Sequence, residues 1–306
     1  MKLKCKVLLI FLIFVIFVGC GERHKYKEVK LREPKTKEFQ SKKLQQPSVH
    51  IAIAPVISPQ SSLILYADFI RYLQEKLEMP VEIIQRETYT EINELLINGD
   101  VDIAFICTGA YIHLKQNFSV KLLVIPQVNG KIVYQSYIIV AKDSPLTSFN
   151  QLRDKNFAFS DPISLSGFFY PKYRLYKMGQ TPRSFFHKTI FTNSHDYSIK
   201  AVAENLVDGA AVDSLVYDSL LKENNSNAKN TKVIERSPFF GISPVVVRPH
   251  LSPSFYKKLQ DVFTQMAQDE TGRSILKKIS IDRFILPDDI SYYEPVEKML
   301  KDLKNN

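Results

Sequence analysis

Apolar and polar positions alternate along residues 48–306 in a pattern that predicts strands and helices in turn. Short apolar runs predict buried strands, and segments with apolar residues three or four positions apart predict amphipathic helices. Strands are predicted at 49–54, 81–84, 101–106 and 121–128, and helices at 61–78 and after Thr88. Thr88 and Glu91 have capping-box spacing, and Gly99 is placed to end that helix. The β-α-β order favours a mainly parallel sheet flanked by helices.

A second cycle of strands and helices begins near residue 137. Strands are predicted at 137–141, 156–159, 189–191 and 210–212, and helices after Ser166 and at 194–206. The polar segment 222–232 is expected to be a loop, 245–248 a strand and 252–279 helices. The pattern predicts an α/β protein with a first lobe at 48–132, a second lobe at 133–244, and a return to the first lobe with C-terminal helices at 245–306.

The first 19 residues have the pattern of a signal peptide. Three lysines precede an apolar run of 12 residues, which is shorter than the ~20 residues of a membrane-spanning helix. The run ends in Phe17-Val18-Gly19-Cys20, which resembles the lipobox of bacterial lipoproteins, with Phe17 in place of the usual leucine. The resemblance implies cleavage after Gly19 and a lipid on Cys20. We therefore expect an exported protein, anchored to the bacterial envelope and facing the periplasm or the cell exterior.

Residues 20–47 are polar and basic, with nine Lys and Arg against four Glu. Such a segment buries too little apolar surface to offset its ordering entropy, so it is predicted to be a flexible tether. Of the formal net charge of +9, the signal peptide carries +3 and the tether +5, which leaves +1 for the folded part. The near-neutral lobes do not favour nucleic acid as a partner.

Cysteine usage and motif content favour binding over catalysis. Cys5 lies in the signal peptide and Cys20 in the lipobox, so Cys107 is the single cysteine of the lobes and is expected to be buried. One cysteine supports neither an intrachain disulfide nor a cysteine-based metal site. No P-loop, metal-ligand or Ser-His-Asp motif is evident, so no cofactor and no enzymatic activity are predicted.

The segment Ser160-Asp161-Pro162-Ile163-Ser164-Leu165-Ser166-Gly167 is the main candidate for a binding site. It follows an apolar strand and precedes a predicted helix. Free N–H groups at a helix N-terminus can hold an anion, and Ser164 and Ser166 can add hydroxyl donors. The alternative is that one of these serines is only an N-cap.

Several ordered motifs resemble the phosphate/phosphite/phosphonate-type substrate-binding proteins of bacterial ABC transporters. The resemblance spans nearly all of 48–290. The motifs are Ala54-Pro55-Val56-Ile57-Ser58-Pro59, Gln85-Arg86-Glu87-Thr88-Tyr89, Gly99-Asp100-Val101-Asp102-Ile103-Ala104-Phe105, Thr108-Gly109-Ala110-Tyr111, Phe159-Ser160-Asp161-Pro162, Ser194-His195-Asp196, Val207-Asp208-Gly209-Ala210-Ala211-Val212-Asp213-Ser214, Pro244-Val245-Val246-Val247 and Ile281-Asp282-Arg283-Phe284. This family implies the type II periplasmic-binding-protein fold, with two α/β lobes, two crossover strands and a ligand cleft that closes by hinge motion.

The resemblance also implies where the ligand is bound. The expected contacts are Ser164, Leu165, Ser166 and Gly167 in the serine-rich loop, Tyr111 in the loop after the third strand, His195, Asp213, and more weakly Gln60 and Ser61. A carboxylate at 213 would accept a proton from the ligand or hold an amino group, and would thereby exclude fully ionised sulfate. Leu165 departs from the Thr or Asn usual in the family, which removes one side-chain donor.

The predicted function is capture of a small phosphorus oxyanion, that is a phosphonate, phosphite or phosphate, for an ABC permease. The protein is expected to act as a monomer. Alternatives that the sequence leaves open are a sensing module for a membrane signalling protein and a receptor for another small anion. A ferric-ion receptor is a further alternative, because the chain has 15 tyrosines.

Overall fold

A computed structural model describes residues 48–304. The predicted signal peptide, the lipid site at Cys20 and the basic tether lie outside the described residues. Elements are numbered here in chain order. The strands are β1 (Val49–Ile53), β2 (Val81–Ile84), β3 (Ile103–Phe105), β4 (Lys121–Gln127), β5 (Val133–Tyr134), β6 (Ser136–Ala141), β7 (Asn156–Phe159), β8 (Lys188–Phe191), β9 (Gly209–Asp213), β10 (Thr231–Arg236), β11 (Phe240–Gly241), β12 (Val245–Val247) and β13 (Arg283–Ile285).

Helices cover both sheets. They are α1 (Pro59–Leu77), α2 (Tyr89–Asn98), α3 (Thr108–Asn117), α4 (Tyr170–Tyr176), α5 (Pro182–Phe185), α6 (His195–Ala203), α7 (Ser214–Lys222), α8 (Ser226–Lys229), α9 (Pro253–Gln265), α10 (Glu270–Lys278) and α11 (Glu294–Lys304). Among the described helices, none has both the length and the apolar character that a membrane span requires.

The fold consists of two mixed sheets, one in each lobe. The first lobe has six strands in the order β13-β4-β12-β3-β1-β2, and the second has five in the order β10-β6-β9-β7-β8. In the first sheet, β1 runs parallel to β2 and β3, and in the second, β7 runs parallel to β8 and β9. Strands β6 and β12, which enter after each crossover, run antiparallel to their neighbours, and β13 runs antiparallel to β4. The sheets therefore contain fewer parallel pairs than the sequence predicts.

The chain crosses between the sheets twice, through a short two-stranded ribbon. The ribbon pairs β5 with β11 in antiparallel register, Tyr134 opposite Phe240 and Val133 opposite Gly241. The outgoing crossover leads from β4 into β6, and the returning one leads from β10 into β12. One hydrophobic cluster contains buried residues of both sheets, including Ala104 and Phe157, so the lobes are packed together in this conformation.

Three local predictions are corrected by the structure. The predicted loop at 222–232 is wrong, because it contains α8 and the start of β10, which pairs with β6 as an edge strand. The segment around Tyr111, expected to be a loop, is the helix α3. The helix predicted at 194–206 ends at Ala203, just before Asn205 adopts a left-handed conformation with φ of 57°.

Candidate functional site

The serine-rich loop after β7 lies between the two lobes. Ser160, Asp161, Ser164 and Ser166 are all buried. The Ser164 hydroxyl accepts a hydrogen bond from the Gly167 N–H at 3.0 Å, so Ser164 does cap the following helical segment. That segment, Leu165–Phe169, is wound as a π-helix and continues into α4. Ser164 is therefore an N-cap, as the alternative interpretation of the sequence predicted. Binding of an anion by this loop then depends on the other groups of the loop.

Ser160 supplies a buried hydroxyl that no described residue satisfies. Its Oγ is fully buried and has no hydrogen-bond partner. Gly167 lies directly against it, because a Cβ at that position would lie 1.7 Å from Ser160 Oγ and 3.1 Å from His195 Cε1. The absence of a side chain at 167 thus lets the loop approach both Ser160 and His195. An unpaired buried hydroxyl costs ~1–3 kcal/mol, which points to a missing partner.

His195 is held as a neutral imidazole with one free donor. It is the first residue of α6, and its Nδ1 accepts a hydrogen bond from the Asp213 N–H at 3.1 Å. This bond assigns the ring proton to Nε2, for which no acceptor lies among residues 48–304. Burial lowers the pKa of His195 to about 4. At neutral pH the ring therefore offers an uncharged N–H donor.

Asp213 ends β9 and caps the next helix, α7. Its Oδ1 accepts hydrogen bonds from the N–H groups of Leu215 at 2.7 Å and Val216 at 3.4 Å. The second oxygen has no donor within the described chain. Burial, partly offset by these two bonds, raises the pKa of Asp213 to about 7. This carboxyl can therefore exchange a proton with a bound group near neutral pH.

Two tyrosines of the cleft were missed in the sequence. Tyr89 is the first residue of α2, and its fully buried hydroxyl has no partner in the described structure. Burial raises the pKa of Tyr89 well above its usual range, and the nearby Asp161 and Asp213 carboxyls raise it further. Tyr134 lies in β5 and is buried near the side chains of Thr108 and Ser166. The sequence feature that could have indicated Tyr89 is the capping box at Thr88, because it places Tyr89 at the start of a helix.

The other predicted contacts lie elsewhere. The Leu165 side chain is fully buried in the hydrophobic core. The Tyr111 ring packs against Tyr293, with centroids 5.0 Å apart. Gln60 and Ser61 are exposed in the first turn of α1, and only Ser61 lines the groove that adjoins Asp213. The structure therefore brings together Ser164, Ser166, Gly167, His195 and Asp213, but not Tyr111 or Gln60.

Hydrogen bonds between the lobes close the cleft around these groups. The His195 N–H donates to the Val56 carbonyl at 3.0 Å, and the Ser58 N–H donates to Asp196 Oδ1 at 2.9 Å. On the opposite side, the Tyr89 N–H donates to Asp161 Oδ2 at 3.1 Å. The cleft thus combines hydroxyl groups from both lobes with the His195 imidazole and the Asp213 carboxyl of the second lobe.

This set of groups suits a small anion rather than a metal ion. Among residues 48–304, no group of three or more His, Cys, Asp and Glu side chains is arranged to hold a metal. Ser160 and His195 lie together beside Gly167, and the Tyr89 hydroxyl is a further buried donor without a partner among residues 48–304. An anion that carries a proton could also donate to Asp213.

The chain is similar to proteins that are named for binding phosphonates. Residues 51–292 match a family model described as the periplasmic phosphonate substrate-binding protein of ABC transporters. The chain is 26% identical over 240 residues to the phosphonates-binding periplasmic protein of Escherichia coli K12, which covers 77% of this chain and 71% of that protein.

Two solved structures share the fold. A binding component of an ABC phosphonate transporter from Pseudomonas aeruginosa matches with a TM-score of 0.79 and 24% identity, over 85% of this chain and 89% of that one. PhnD1 from Prochlorococcus marinus, in complex with methylphosphonate, matches with a TM-score of 0.76 and 20% identity, over 85% of this chain and 99% of that one.

Proposed function

This chain belongs to the family of periplasmic phosphonate-binding proteins of ABC transporters, and we propose that it holds a phosphonate, phosphite or phosphate between its two lobes. The observation that carries the proposal concerns two of the three buried hydroxyls that have no partner among residues 48–304, Ser160 Oγ on the second lobe and Tyr89 Oη on the first. Buried polar groups are nearly always hydrogen-bonded, so a ligand with several acceptor oxygens accounts for both.

Each group has a distinct part in this proposal. Ser160, Tyr89 and His195 Nε2 donate to the ligand's oxygens, while Asp213 accepts the proton that a partly ionised oxyanion still carries. Ser166 supports the site through Tyr134 and through its own carbonyl, which accepts from the Ser136 hydroxyl at 2.6 Å. Methylphosphonate, bound by the Prochlorococcus relative, is an anion of this kind.

The role is binding and delivery, not catalysis. We propose that the lobes close over the ligand about the β5–β11 ribbon, with lobe boundaries near residues 132 and 244. The closed protein then presents its ligand to an ABC permease. A lipid on Cys20 and the basic tether would hold the monomer at the membrane, where a basic segment is attracted to anionic lipids.

Removal of the two unpaired hydroxyls tests the proposal. Tyr89→Phe and Ser160→Ala should each weaken binding of phosphite and methylphosphonate about 10- to 150-fold, because a hydrogen bond to a charged group contributes ~1.5–3 kcal/mol. The same variants should make closure of the ligand-free protein easier, since each removes a group that has no partner in the empty closed cleft.

Matched controls separate ligand contacts from general effects on the fold. Tyr217 and Ser198 are buried residues of the second lobe whose hydroxyls bond to protein groups, Thr231 O at 3.2 Å and Thr192 Oγ1 at 2.6 Å. Tyr217→Phe and Ser198→Ala should leave ligand affinity unchanged in isothermal titration calorimetry. If wild-type protein binds none of phosphite, phosphate and methylphosphonate, or if the two cleft variants bind as tightly as wild type, the proposal is wrong.

A further inference from the structure

A groove of about 510 Å³ adjoins the anion site and shares the Asp213 side chain with it. This volume is within the ~300–1,000 Å³ range of small-molecule pockets, and a single phosphorus oxyanion would leave much of it empty. The groove runs between the lobes, with α7 of the second lobe on one side and the start of α1 and the segment around Ile281 on the other. A ligand bound at Asp213 can therefore extend a substituent into this groove.

The walls of the groove are mostly apolar. Immediately after Asp213, α7 contributes Leu215, Val216 and Leu220, and the first lobe faces them with Ile57, Leu65 and Ile281. The Leu215 N–H still caps Asp213, so this residue joins the anion site to the apolar wall. Apolar side chains gain from excluding water when an apolar group fills the space between them.

Four acidic side chains line the groove. Three of them, Asp196, Asp218 and Glu223, already accept hydrogen bonds from the protein, and the fourth, Asp213, has one oxygen without a donor among the described residues. Asp196 Oδ1 accepts from the Ser58 N–H at 2.9 Å and from the Ser194 hydroxyl at 2.6 Å. Asp218 accepts from the Tyr137 hydroxyl at 3.4 Å. A cationic substituent would compete with these donors, whereas an apolar one would leave them in place.

Hydrogen bonds between the lobes also bound the outer end of the groove. Ser219 Oγ lies 3.2 Å from Ser280 Oγ, and Lys222 Nζ donates to Asn129 Oδ1 at 3.5 Å. The groove thus remains in the closed conformation as a space between two sets of interlobe contacts. Its persistence after closure argues for an occupant that is bound together with the anion.

We propose that the natural ligand is a phosphonate with an apolar organic substituent, which leaves the anion site past Asp213 and lies against Leu215 in this groove. The proposal rests on the proposed function and specifies its substrate class. It predicts that affinity rises with the length of an alkyl substituent, by about fourfold for each buried methylene (~0.8 kcal/mol). Propylphosphonate should therefore bind at least tenfold more tightly than methylphosphonate.

The experiment is calorimetric titration of the purified protein with phosphite and with methyl-, propyl- and 2-aminoethylphosphonate. The last two ligands have the same number of non-hydrogen atoms and differ in the charge at the end of the substituent. We expect propylphosphonate to bind at least tenfold more tightly than 2-aminoethylphosphonate. Leu215→Ser should remove most of the advantage of propylphosphonate over methylphosphonate.

Leu206→Ser provides the control, because Leu206 is 67% exposed and lies outside the groove. The Leu206→Ser variant should retain the full dependence of affinity on the length of the alkyl substituent. If phosphite and methylphosphonate bind but affinity is flat across the series, or if 2-aminoethylphosphonate binds more tightly than propylphosphonate, the apolar substituent is refuted and the anion site is not. If none of the ligands binds, the proposed function itself fails.

Discussion

Replacing Asp213 with asparagine removes one negative charge from the site and changes little else. Asparagine is as good an N-cap as aspartate, and its side-chain oxygen can still accept from the Leu215 N–H, which lies 2.7 Å from Asp213 Oδ1. The buried shape is also kept. The variant therefore tests the carboxyl itself, and not the fold of α7.

The expected changes in folding stability and in ligand affinity follow from the burial of Asp213 and from its hydrogen bond to the ligand. The shift of the Asp213 pKa from 3.8 to about 7 corresponds to up to ~4 kcal/mol, at about 1.36 kcal/mol per unit. Because the folded pKa is raised, ionisation of Asp213 lowers folding stability as the pH rises from about 4 through about 7, and Asp213→Asn should lack this loss. Loss of a charge-assisted bond to the ligand should weaken phosphite and phosphonate binding about 10- to 150-fold.

Calorimetric titration with phosphite and sulfate between pH 6 and 9 measures the pH dependence of binding and the discrimination against sulfate. Wild-type affinity for phosphite should fall, approaching tenfold per pH unit above neutral, because the complex keeps a proton that the free partners have lost. The variant should show a weaker pH dependence and improved sulfate binding, since an amide can donate to a fully ionised oxyanion. Unchanged phosphite affinity, or unchanged discrimination against sulfate, would refute a proton-accepting role for Asp213.

Three further variants examine the remaining groups of the cleft. The pKa of His195 is about 4 in the folded protein, so below pH 6.5 protonation of this ring favours the unfolded state. In urea titrations, the free energy of unfolding should therefore decrease less between pH 7.5 and 4.5 in His195→Asn than in the wild type. Equal decreases in both proteins would contradict this. Gly167→Ala should abolish ligand-induced thermal stabilisation and lower stability by ~1–3 kcal/mol, because its Cβ would lie 1.7 Å from Ser160 Oγ. Asp161→Ala should reduce the decrease in radius of gyration that methylphosphonate produces in solution scattering, since the Tyr89 N–H loses its partner across the closed cleft. An unchanged decrease would show that this contact does not hold the lobes together.

The elements predicted well are those whose local sequence is sufficient to define them. The Thr88–Glu91 capping box and the end of α2 at Gly99, with φ of 78°, are confirmed because short-range hydrogen bonds fix both. Helix α3 was missed because six of its ten residues are buried, so no single apolar face distinguishes it. Strand β10 was missed because it is a polar edge strand, and only its pairing with β6 makes it part of the sheet.

The site shows the same division between local and long-range information. Ser164 and Asp213 are N-caps, and Gly167 lies in the first turn after Ser164. The sequence indicates such positions through turn and cap residues. The direction of a side chain on a buried helix depends on tertiary packing, so the sequence did not show that Tyr111 contacts Tyr293. Tyr89 faces the second lobe only because the cleft closes, and no local pattern contains that information.

The unpaired hydroxyls also explain how closure can depend on the ligand. In an open cleft, water can satisfy Ser160 and Tyr89, whereas in the closed, ligand-free cleft both lack partners within the described chain. At ~1–3 kcal/mol for each unsatisfied group, the two together disfavour the empty closed form by a few kcal/mol. A bound oxyanion removes this penalty, and a ligand shifts an equilibrium by its difference in affinity for the two states. Under the proposed function, the groups that hold the anion would therefore also restrict closure to the loaded protein, and a permease partner could distinguish the loaded from the empty form by its shape.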